Sequence, residues 1–411
     1  MATILETCRV PAAPCAASEL SMPLTFLDIP WLHFNPIRRL LFYNFPCSKQ
    51  YFLETVAPKL KESLSLTLRH YLLVAGNVIF YLNSEKVPEI RYVAPDSAIS
   101  LTIAESASGF DDIIGNHVRD ADRFYEFVPE IDPVTNESGL YSSMGFDQQT
   151  WGDEEFLTKQ GESLPVLDRS VINDPSGINT IFLKVIKDDP LKSTSFPLPT
   201  NRVRATYILR QTDIQKLKDL VLRKKPDLGQ VSSFVVTVSY VWTCFVKSGE
   251  QVDDDELEFF VFVANIRGRI DPPVPANYFG NCLGHGMAII EHKQLVGEEG
   301  FVMAAEAIAD QIKNKVNKND EVLKGVEHWV SDMKTRNAIR VLWVSGSPKF
   351  DLSNADFGWG RARKLEVVST DEEEYSMSLC KSSDGGLEIG MSLPKARMEA
   401  FAAIFDDGLK F

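Results

Sequence analysis

The sequence has few cysteines and no long apolar run. The six cysteines are scattered without C-x-x-C spacing, which predicts neither a zinc site nor a disulfide framework and suits a reducing compartment. The longest apolar stretch, residues 71–82, is interrupted by Asn77 and is shorter than the roughly 20 residues of a membrane-spanning helix. Residues 1–20 contain no continuous apolar segment, so no signal peptide is predicted. We therefore expect a cytoplasmic protein without a membrane partner.

Positive charge and the common catalytic motifs are also lacking. The chain has 43 basic and 57 acidic residues, a net charge of −14 that would repel a nucleic acid backbone. It contains no G-x-S-x-G, no H-E-x-x-H, no G-x-x-x-x-G-K-[ST] and no strand-linked G-x-G-x-x-G. These absences disfavour nucleic acid binding, common serine hydrolases, zinc proteases and nucleotide enzymes, and no metal site is predicted.

The length and the apolar patterning predict a globular α/β protein of at least two domains. The chain has 411 residues, of which 44% are hydrophobic. Strand-like and helix-like patterns alternate, which indicates sheets covered by helices. Residues 187–200 are rich in proline and hydroxyl side chains and show neither the apolar spacing of a helix nor that of a strand. We expect this segment to be a crossover between an N-terminal domain, 1–186, and a C-terminal domain, 201–411.

Several strands and helices can be placed within these domains. Strands are predicted at residues 88–93, 99–104, 205–210, 259–265 and 341–345. An apolar stripe from Leu53 is typical of a helix in which Pro58 begins a second segment. Thr212 and Gln215 suggest a capping box, and Ser232 or Ser233 suggests the next helix start. Two further helices are expected from Phe301 and from Ser392.

The most unusual local sequence is Asp356-Phe-Gly-Trp-Gly360, directly after the strand predicted at 341–345. Glycines give access to backbone angles that other residues avoid, and an aspartate can anchor a loop by pairing with an arginine. A rigid structural loop is therefore the simplest interpretation of Asp356, Phe357, Gly358, Trp359 and Gly360.

This pentapeptide resembles the DFGWG signature of the plant BAHD acyl-CoA-dependent acyltransferases. Upstream, Tyr278, Phe279, Gly280, Asn281 and Cys282 resemble the YFGNC segment of the malonyltransferase branch of that family. The resemblance extends from about Cys8 to Phe411. It includes Leu24-Thr-Phe-Leu-Asp28, His70-Tyr-Leu-Leu-Val-Ala-Gly76, Asp168-Arg-Ser170 and Asn265-Ile-Arg-Gly-Arg269.

The resemblance implies two domains related to chloramphenicol acetyltransferase, with a solvent channel between them. It implies malonyl-CoA, or another acyl-CoA, as co-substrate and no permanently bound cofactor or metal. The acceptor it implies is a sugar hydroxyl of a flavonoid, anthocyanin or other phenolic glucoside, in plant secondary metabolism. A monomer is usual for the family. Asp356 is implied to be a structural anchor, expected to pair with Arg267 or Arg269, and Cys282 is expected to be a small buried residue.

The catalytic base that the family uses is absent from its place. The resemblance implies a histidine in an H-x-x-x-D-G motif upstream of Asp168 and Arg169, yet residues 134–151 contain no histidine. Flanking residues 129–133 and 152–156 resemble the family, so the first domain is expected to lack a strand, the catalytic loop and much of the following helix. The chain is expected to be several tens of residues short there.

Other histidines are weaker candidates for a base. His328-Trp-Val-Ser-Asp332 matches H-x-x-x-D, but Met333 replaces the glycine, and an exposed pair on one helix face explains the spacing. His117 has its acid, Asp120, one position too early. His33 and His70 are expected to be packing residues, whereas His285 and His292 are expected to flank a strand.

Three hypotheses follow for the chain's activity. The first is O-malonyl transfer from malonyl-CoA to a phenolic glucoside. The second is a catalytically silent splice or gene-model variant that retains at most acyl-CoA or partner binding. The third is a relocated base at His328.

Overall fold

The computed structural model describes residues 2–33, 37–81, 84–129, 140–141, 165–174, 176–188, 198–329, 340–348, 355–371, 375–382 and 384–410. The strands before the predicted crossover are β1 (Thr3–Pro11), β2 (Glu19–Pro23), β3 (Arg39–Phe42), β4 (Asn77–Ile79), β5 (Glu89–Val93), β6 (Ala98–Glu105), β7 (Arg119–Asp120) and β8 (Leu140–Tyr141). The helices there are α1 (Lys49–Tyr51), α2 (Ala57–Leu68), α3 (Phe110–Ile113) and α4 (Ile178–Asp188).

The later elements build the larger part of the fold. The strands are β9 (Val203–Leu209), β10 (Leu257–Asn265), β11 (Leu283–Glu291), β12 (Arg340–Ser345), β13 (Lys364–Val367), β14 (Tyr375–Lys381) and β15 (Leu387–Leu393). The helices are α5 (Gln211–Lys224), α6 (Ser233–Lys247), α7 (His292–Val296), α8 (Gly300–Gln311) and α9 (Lys395–Asp407). Among the described helices, none combines the length and the apolar character needed to cross a membrane.

The architecture is a mixed α/β fold, as predicted. The largest sheet described has seven strands in the order β11-β10-β12-β14-β15-β9-β7, and a smaller one has the order β2-β5-β4-β8. Strands β10, β12 and β14 run parallel, while β11, β15, β9 and β7 pair with their neighbours antiparallel. A main core lies on one face of the large sheet, where α6, α8 and α9 pack. It includes Trp242, Phe260, Ala305, Leu342, Ile389 and Phe401.

Two strands of the first half of the chain pair with strands of the second half. From the first half, β7 joins the edge of the seven-stranded sheet beside β9, and β3 pairs antiparallel with β13 from the second half. A second core cluster also combines the halves, with Leu27 and Phe182 beside Phe279 and Trp329. Helix α4 continues to Asp188, two residues beyond the limit predicted at 186, and residues 189–197 of the predicted crossover lie outside the described residues. The division into domains stays a prediction.

Several local predictions are confirmed. A π-helical turn, Phe52–Val56, lies between α1 and α2, and Pro58 lies in the first turn of α2. The hydroxyl of Ser232 accepts a hydrogen bond from the Val235 N–H and caps α6. All five predicted strands form, and each begins and ends within two residues of its predicted limits.

Two helix starts were predicted at the wrong residue. Helix α5 is capped through Arg210, whose backbone N–H donates to Asp213 Oδ2 at 3.1 Å, rather than through Thr212 and Gln215. Ser392 lies in β15, where it pairs with Arg204, and α9 begins only after Pro394. Pairing with a neighbouring strand therefore overrides the local capping signal of a serine.

The second face of the seven-stranded sheet carries a buried ionic cluster. Arg204 of β9 donates to Asp371 Oδ1 at 2.5 Å and to Glu366 Oε2 at 3.2 Å, and Arg119 of β7 lies 2.8 Å from Glu366 Oε1. All four side chains are almost fully buried. Burial raises the pKa of Asp371, although the charge of Arg204 opposes that shift. The cluster joins β7 from the first half to β9 and β13 from the second.

Replacing Arg204 should destabilise the fold strongly. In Arg204→Met, the carboxylates of Glu366 and Asp371 lose their shared partner while still buried, and we expect the free energy of unfolding to fall by about 3–5 kcal/mol. Urea unfolding followed by circular dichroism measures it. The control is Arg223→Met on the exposed face of α5, where a change within about 0.5 kcal/mol is expected. Equal midpoints for the two variants would contradict the role given to the cluster.

Candidate functional site

The Tyr278–Cys282 segment forms a buried junction between the two halves. Tyr278, Phe279, Asn281 and Cys282 are all buried. Phe279 N–H donates to the Val166 carbonyl, and Val166 N–H donates to the Asn277 carbonyl, both at 2.9 Å. The junction thereby ties the segment just before Asp168 to the turn that precedes β11.

Asp28, the last residue of the Leu24–Asp28 motif, accepts hydrogen bonds from both sides of this junction. Asn281 N–H donates to Asp28 Oδ1 at 2.8 Å, and the backbone N–H and hydroxyl of Thr25 donate to Asp28 Oδ2 at 2.9 and 2.8 Å. Asp28 is 1% exposed. A buried carboxylate is costly unless its oxygens accept hydrogen bonds, and these three donors satisfy that need.

Arg169 and Arg267 both donate hydrogen bonds to backbone carbonyls of the same turn. Arg169 Nη1 donates to the Phe279 carbonyl at 2.7 Å, its Nε donates to the Pro23 carbonyl at 3.1 Å, and its guanidinium lies 4.8 Å from the Tyr278 ring centre. Arg267 Nη2 donates to the Gly280 carbonyl at 2.7 Å. Burial raises the pKa of Tyr278, so its phenol stays neutral. The arginines hold the backbone of the turn.

Glycine is required at position 280. Its φ of 154° is a conformation that other residues rarely adopt. A Cβ on Gly280 would also lie 2.4 Å from Arg169 Nη1. The sequence motifs that contribute Asp28, Arg169 and Arg267 therefore meet at one glycine, a convergence that their separate positions along the chain do not predict.

The Asp356–Gly360 loop is held by its own aspartate. Asp356 Oδ1 accepts hydrogen bonds from the backbone N–H groups of Gly358, Trp359 and Gly360 at 2.8–2.9 Å. Gly358 and Gly360 have φ values of 86° and 81°, so the predicted need for glycine is confirmed. The predicted pairing of Asp356 with Arg267 or Arg269 is wrong: in the described part of the chain no arginine contacts it, and both arginines donate to carbonyl groups near Asn265 or Gly280 instead.

Aromatic contacts attach this loop to the first half of the chain. The Tyr43 hydroxyl donates to the Ala355 carbonyl at 2.7 Å. The Trp359 ring stacks on Phe45, with 5.2 Å between ring centres, and meets Tyr43 edge-on at 5.6 Å. The antiparallel pairing of β3 with β13 also joins these two parts of the chain. The loop therefore fastens residues 39–45 to the second half of the chain.

The histidines occupy scattered positions. The His328 side chain is 68% exposed and lies 3.7 Å from Glu327, while Asp332 and Met333 lie outside the described residues. His117 Nε2 is 3.0 Å from Asp112, also at the surface. His70 is exposed, so the prediction that it packs in the core is wrong, and the side chain of His33 lies outside the described part.

The two histidines near β11 are buried. His285 lies within β11 rather than beside it, edge-on to Trp329 with 4.8 Å between ring centres. His292, just after β11, has Nδ1 2.7 Å from Glu258 Oε1, which also accepts from Arg340 Nε at 2.5 Å. Neither belongs to the Tyr278–Cys282 junction. No group of three or more metal-ligating side chains occurs among the residues described.

Comparison with known proteins shows similarity to one protein family and to characterised members of it. A model described as the transferase family matches residues 165–407. A malonyl-coenzyme:anthocyanin 5-O-glucoside-6'''-O-malonyltransferase of Salvia splendens is 50% identical over 444 positions, with 98% of this chain and 94% of that protein covered. Phenolic glucoside malonyltransferase 1 of Nicotiana tabacum is 40% identical over 457 positions, with 100% of both covered.

Solved structures show the same fold at low sequence identity. Vinorine synthase has a TM-score of 0.68 at 16% identity, with 97% of this chain and 96% of that chain covered. TRI101 of F. sporotrichioides, complexed with coenzyme A and T-2, has a TM-score of 0.61 at 16% identity, with 93% and 97% covered. These similarities confirm the expected fold, which is that of the acyltransferases.

The alignments also bear on the length of the chain. The Salvia alignment has 444 positions and this chain has 411 residues, so at least 33 positions of the relative have no counterpart here. The same comparison with the Nicotiana protein, over 457 positions, gives at least 46. These differences agree with the predicted shortening by several tens of residues. Its placement between residues 134 and 151 stays a prediction, because those residues, except 140–141, lie outside the described ones.

Gly280→Ala tests the junction. The added methyl group must displace Arg169 and adopt an unfavourable φ, so we expect a loss of about 1–3 kcal/mol of unfolding free energy. The matched control is Gly268→Ala, where a Cβ meets no atom within 4 Å. Urea unfolding of both variants measures the difference. If Gly280→Ala is as stable as Gly268→Ala, the junction does not constrain the turn.

Asp356→Ala tests the loop. Without the carboxylate, the amides of Gly358, Trp359 and Gly360 lose their acceptor, and we expect their hydrogen exchange to accelerate at least tenfold. Asp356→Asn, which keeps an acceptor oxygen, is the control and should accelerate exchange less. Exchange measured by mass spectrometry on peptides covering 355–361 gives the result. Unchanged exchange in Asp356→Ala would show that the loop is held by the aromatic contacts alone.

Proposed function

Because this chain belongs to the BAHD family of acyl-CoA-dependent acyltransferases, we propose that it transfers a malonyl group from malonyl-CoA to a sugar hydroxyl of a flavonoid, anthocyanin or other phenolic glucoside. The observation that carries the proposal is the similarity over nearly the whole chain to two malonyltransferases, at 50% and 40% identity. Both are named for malonyl transfer to glucosides. Malonyl-CoA is then a co-substrate that is consumed in each turnover.

The chemistry of the proposed reaction defines what the protein must supply. The sugar oxygen attacks the thioester carbonyl, an ester C–O bond forms, the C–S bond breaks and the CoA sulfur takes up a proton. A sugar hydroxyl is a poor nucleophile at neutral pH, so a positioned base that accepts its proton accelerates the attack. Hydrogen-bond donors must also stabilise the oxyanion that develops on the thioester carbonyl.

The chain has no strong candidate for the general base. Residues 134–151, where the family resemblance places it, contain no histidine. His328 is exposed and has Glu327 as its near neighbour, an arrangement typical of a surface side chain. General-base catalysis typically contributes ~10²–10⁴-fold to a rate. We therefore expect slow turnover compared with a relative that has the complete motif.

A catalytically silent variant is the second candidate function. It is favoured by the histidine-free stretch and by the shorter length of the chain relative to the aligned malonyltransferases. Such a protein would keep the second half, with its seven-stranded sheet, and at most bind acyl-CoA or a partner. The two candidates differ in one measurable property, which is the formation of a malonylated glucoside.

The scattered cysteines and the family resemblance also support a cytoplasmic monomer. Gel filtration with light scattering tests the oligomeric state. A mass near 46 kDa is expected, and twice that value would overturn the monomer.

Turnover is tested with purified protein, malonyl-CoA and a panel of flavonoid and anthocyanin glucosides. We expect malonylated product, detected by mass spectrometry, at a low rate. Inserting an H-x-x-x-D-G segment between Pro133 and Gly152 should raise that rate by ~10²–10⁴-fold, because it restores the base. Product from the inserted variant with none from the natural chain would overturn malonyl transfer by this chain and support the silent variant.

His328→Ala is the matched test of the relocated base. We expect the slow rate of the natural chain to be unchanged, since the side chain is largely exposed to solvent. His117→Ala, another exposed histidine, is the control. Loss of product in His328→Ala alone would establish His328 as the base.

A further inference from the structure

A pocket of about 530 Å³ opens on the second face of the seven-stranded sheet, beyond the ionic cluster of Arg204. It lies where Ile208 of β9 and Glu388 of β15 are paired, beneath Asn116 of the first half. Arg363 and Lys364, at the start of β13, form another wall. The volume is within the range of small-molecule sites, roughly 300–1,000 Å³. The sequence analysis did not identify this pocket, although the run Arg361-Ala-Arg363-Lys364 directly after Gly360 is a signal for it.

Two of the charged side chains in the pocket, Lys364 and Glu388, neutralise each other. Lys364 Nζ donates to Asn116 Oδ1 at 2.7 Å and to Glu388 Oε2 at 3.3 Å, and its side chain is only 4% exposed. A buried ammonium needs such partners to remain charged. Lys364 and Glu388 therefore cancel each other and leave the remaining charges to determine what the pocket attracts.

The remaining charges give an excess of positive charge. Arg210 and Arg363 line the pocket, and both side chains are exposed to solvent. Besides Glu388, which pairs with Lys364, the lining contains one acidic side chain, Asp384, which accepts a hydrogen bond from Gly386 N–H at 3.2 Å. A hydrogen bond from Ser382 is the main cause that lowers the pKa of Asp384, so it is ionised. Two cations thus face one anion, in a chain whose net charge is −14.

The pocket also has an apolar side, formed by Ile114 and Ile208. Guanidinium groups bind carboxylate and phosphate oxygens through paired hydrogen bonds, and apolar walls bind the carbon skeleton of the same molecule. We propose that this pocket binds a small organic anion, with its carboxylate or phosphate group held by Arg210 and Arg363 and its apolar part against Ile114 and Ile208. This binding does not depend on the proposed malonyl transfer.

Three probes of similar shape test the proposal on the full chain. Phenylacetate carries a carboxylate, phenyl phosphate carries a phosphate, and phenylacetamide is neutral and nearly the same shape as phenylacetate. Isothermal titration calorimetry at low salt should show that at least one anion binds at least tenfold more tightly than phenylacetamide. The tighter anion identifies the group that the pocket prefers. If neither anion binds more tightly than the amide, the proposal is overturned.

Variants place the binding in this pocket. In Arg363→Gln the backbone N–H of residue 363 still donates to the Phe42 carbonyl, so the fold should be kept while the dissociation constant of the anion rises at least tenfold. Arg210→Gln should weaken binding in the same direction. The control is Arg69→Gln, an exposed arginine on the surface after α2, which should leave affinity unchanged. Equal affinity in Arg363→Gln and Arg69→Gln would place the anion elsewhere and overturn the proposal.

Discussion

The fold depends on the hydrogen bonds that converge on the turn from Tyr278 to Cys282. Asp28 from the first half accepts the amide of Asn281, and Arg169 donates to the carbonyl beside it. Arg267 of the second half holds the next carbonyl. Each of these contacts satisfies a backbone group that would otherwise be costly to bury. This network and the apolar cluster around it join the two halves of the chain.

The separation of structural and catalytic parts has a physical basis. In the Asp356–Gly360 loop and the Tyr278–Cys282 turn, side chains satisfy backbone groups, which is a structural role. A scaffold of this kind can persist when the reactive histidine is absent, because stability and proton transfer depend on different residues. A catalytic base, in contrast, depends on the scaffold, because it accelerates a reaction only when it is held in a fixed geometry.

Local patterns predicted much of the fold, and tertiary contacts explain where they failed. Ser232 caps α6 as its sequence context indicates, and the β-branched runs at 88–93 and 99–104 form strands. Ser392 has the same local character as Ser232, but its neighbours are drawn into a ladder with β9, which no local window contains. Asp356 was predicted to bind an arginine because charge pairing is visible in sequence, whereas three amides brought around one oxygen by two left-handed glycines are not.

Because β3 and β7 of the first half pair with β13 and β9 of the second, the chain cannot be cut into two intact fragments at the predicted crossover. A fragment beginning near the predicted crossover would leave the outer edge of β9 without Arg119 and Asp120, and would leave β13 without its partner β3. Unpaired strand edges recruit other chains and promote aggregation. Neither half can therefore be transferred to another protein as an independent unit. A chimaera of two relatives must keep β3 with its partner β13 and β7 with its partner β9.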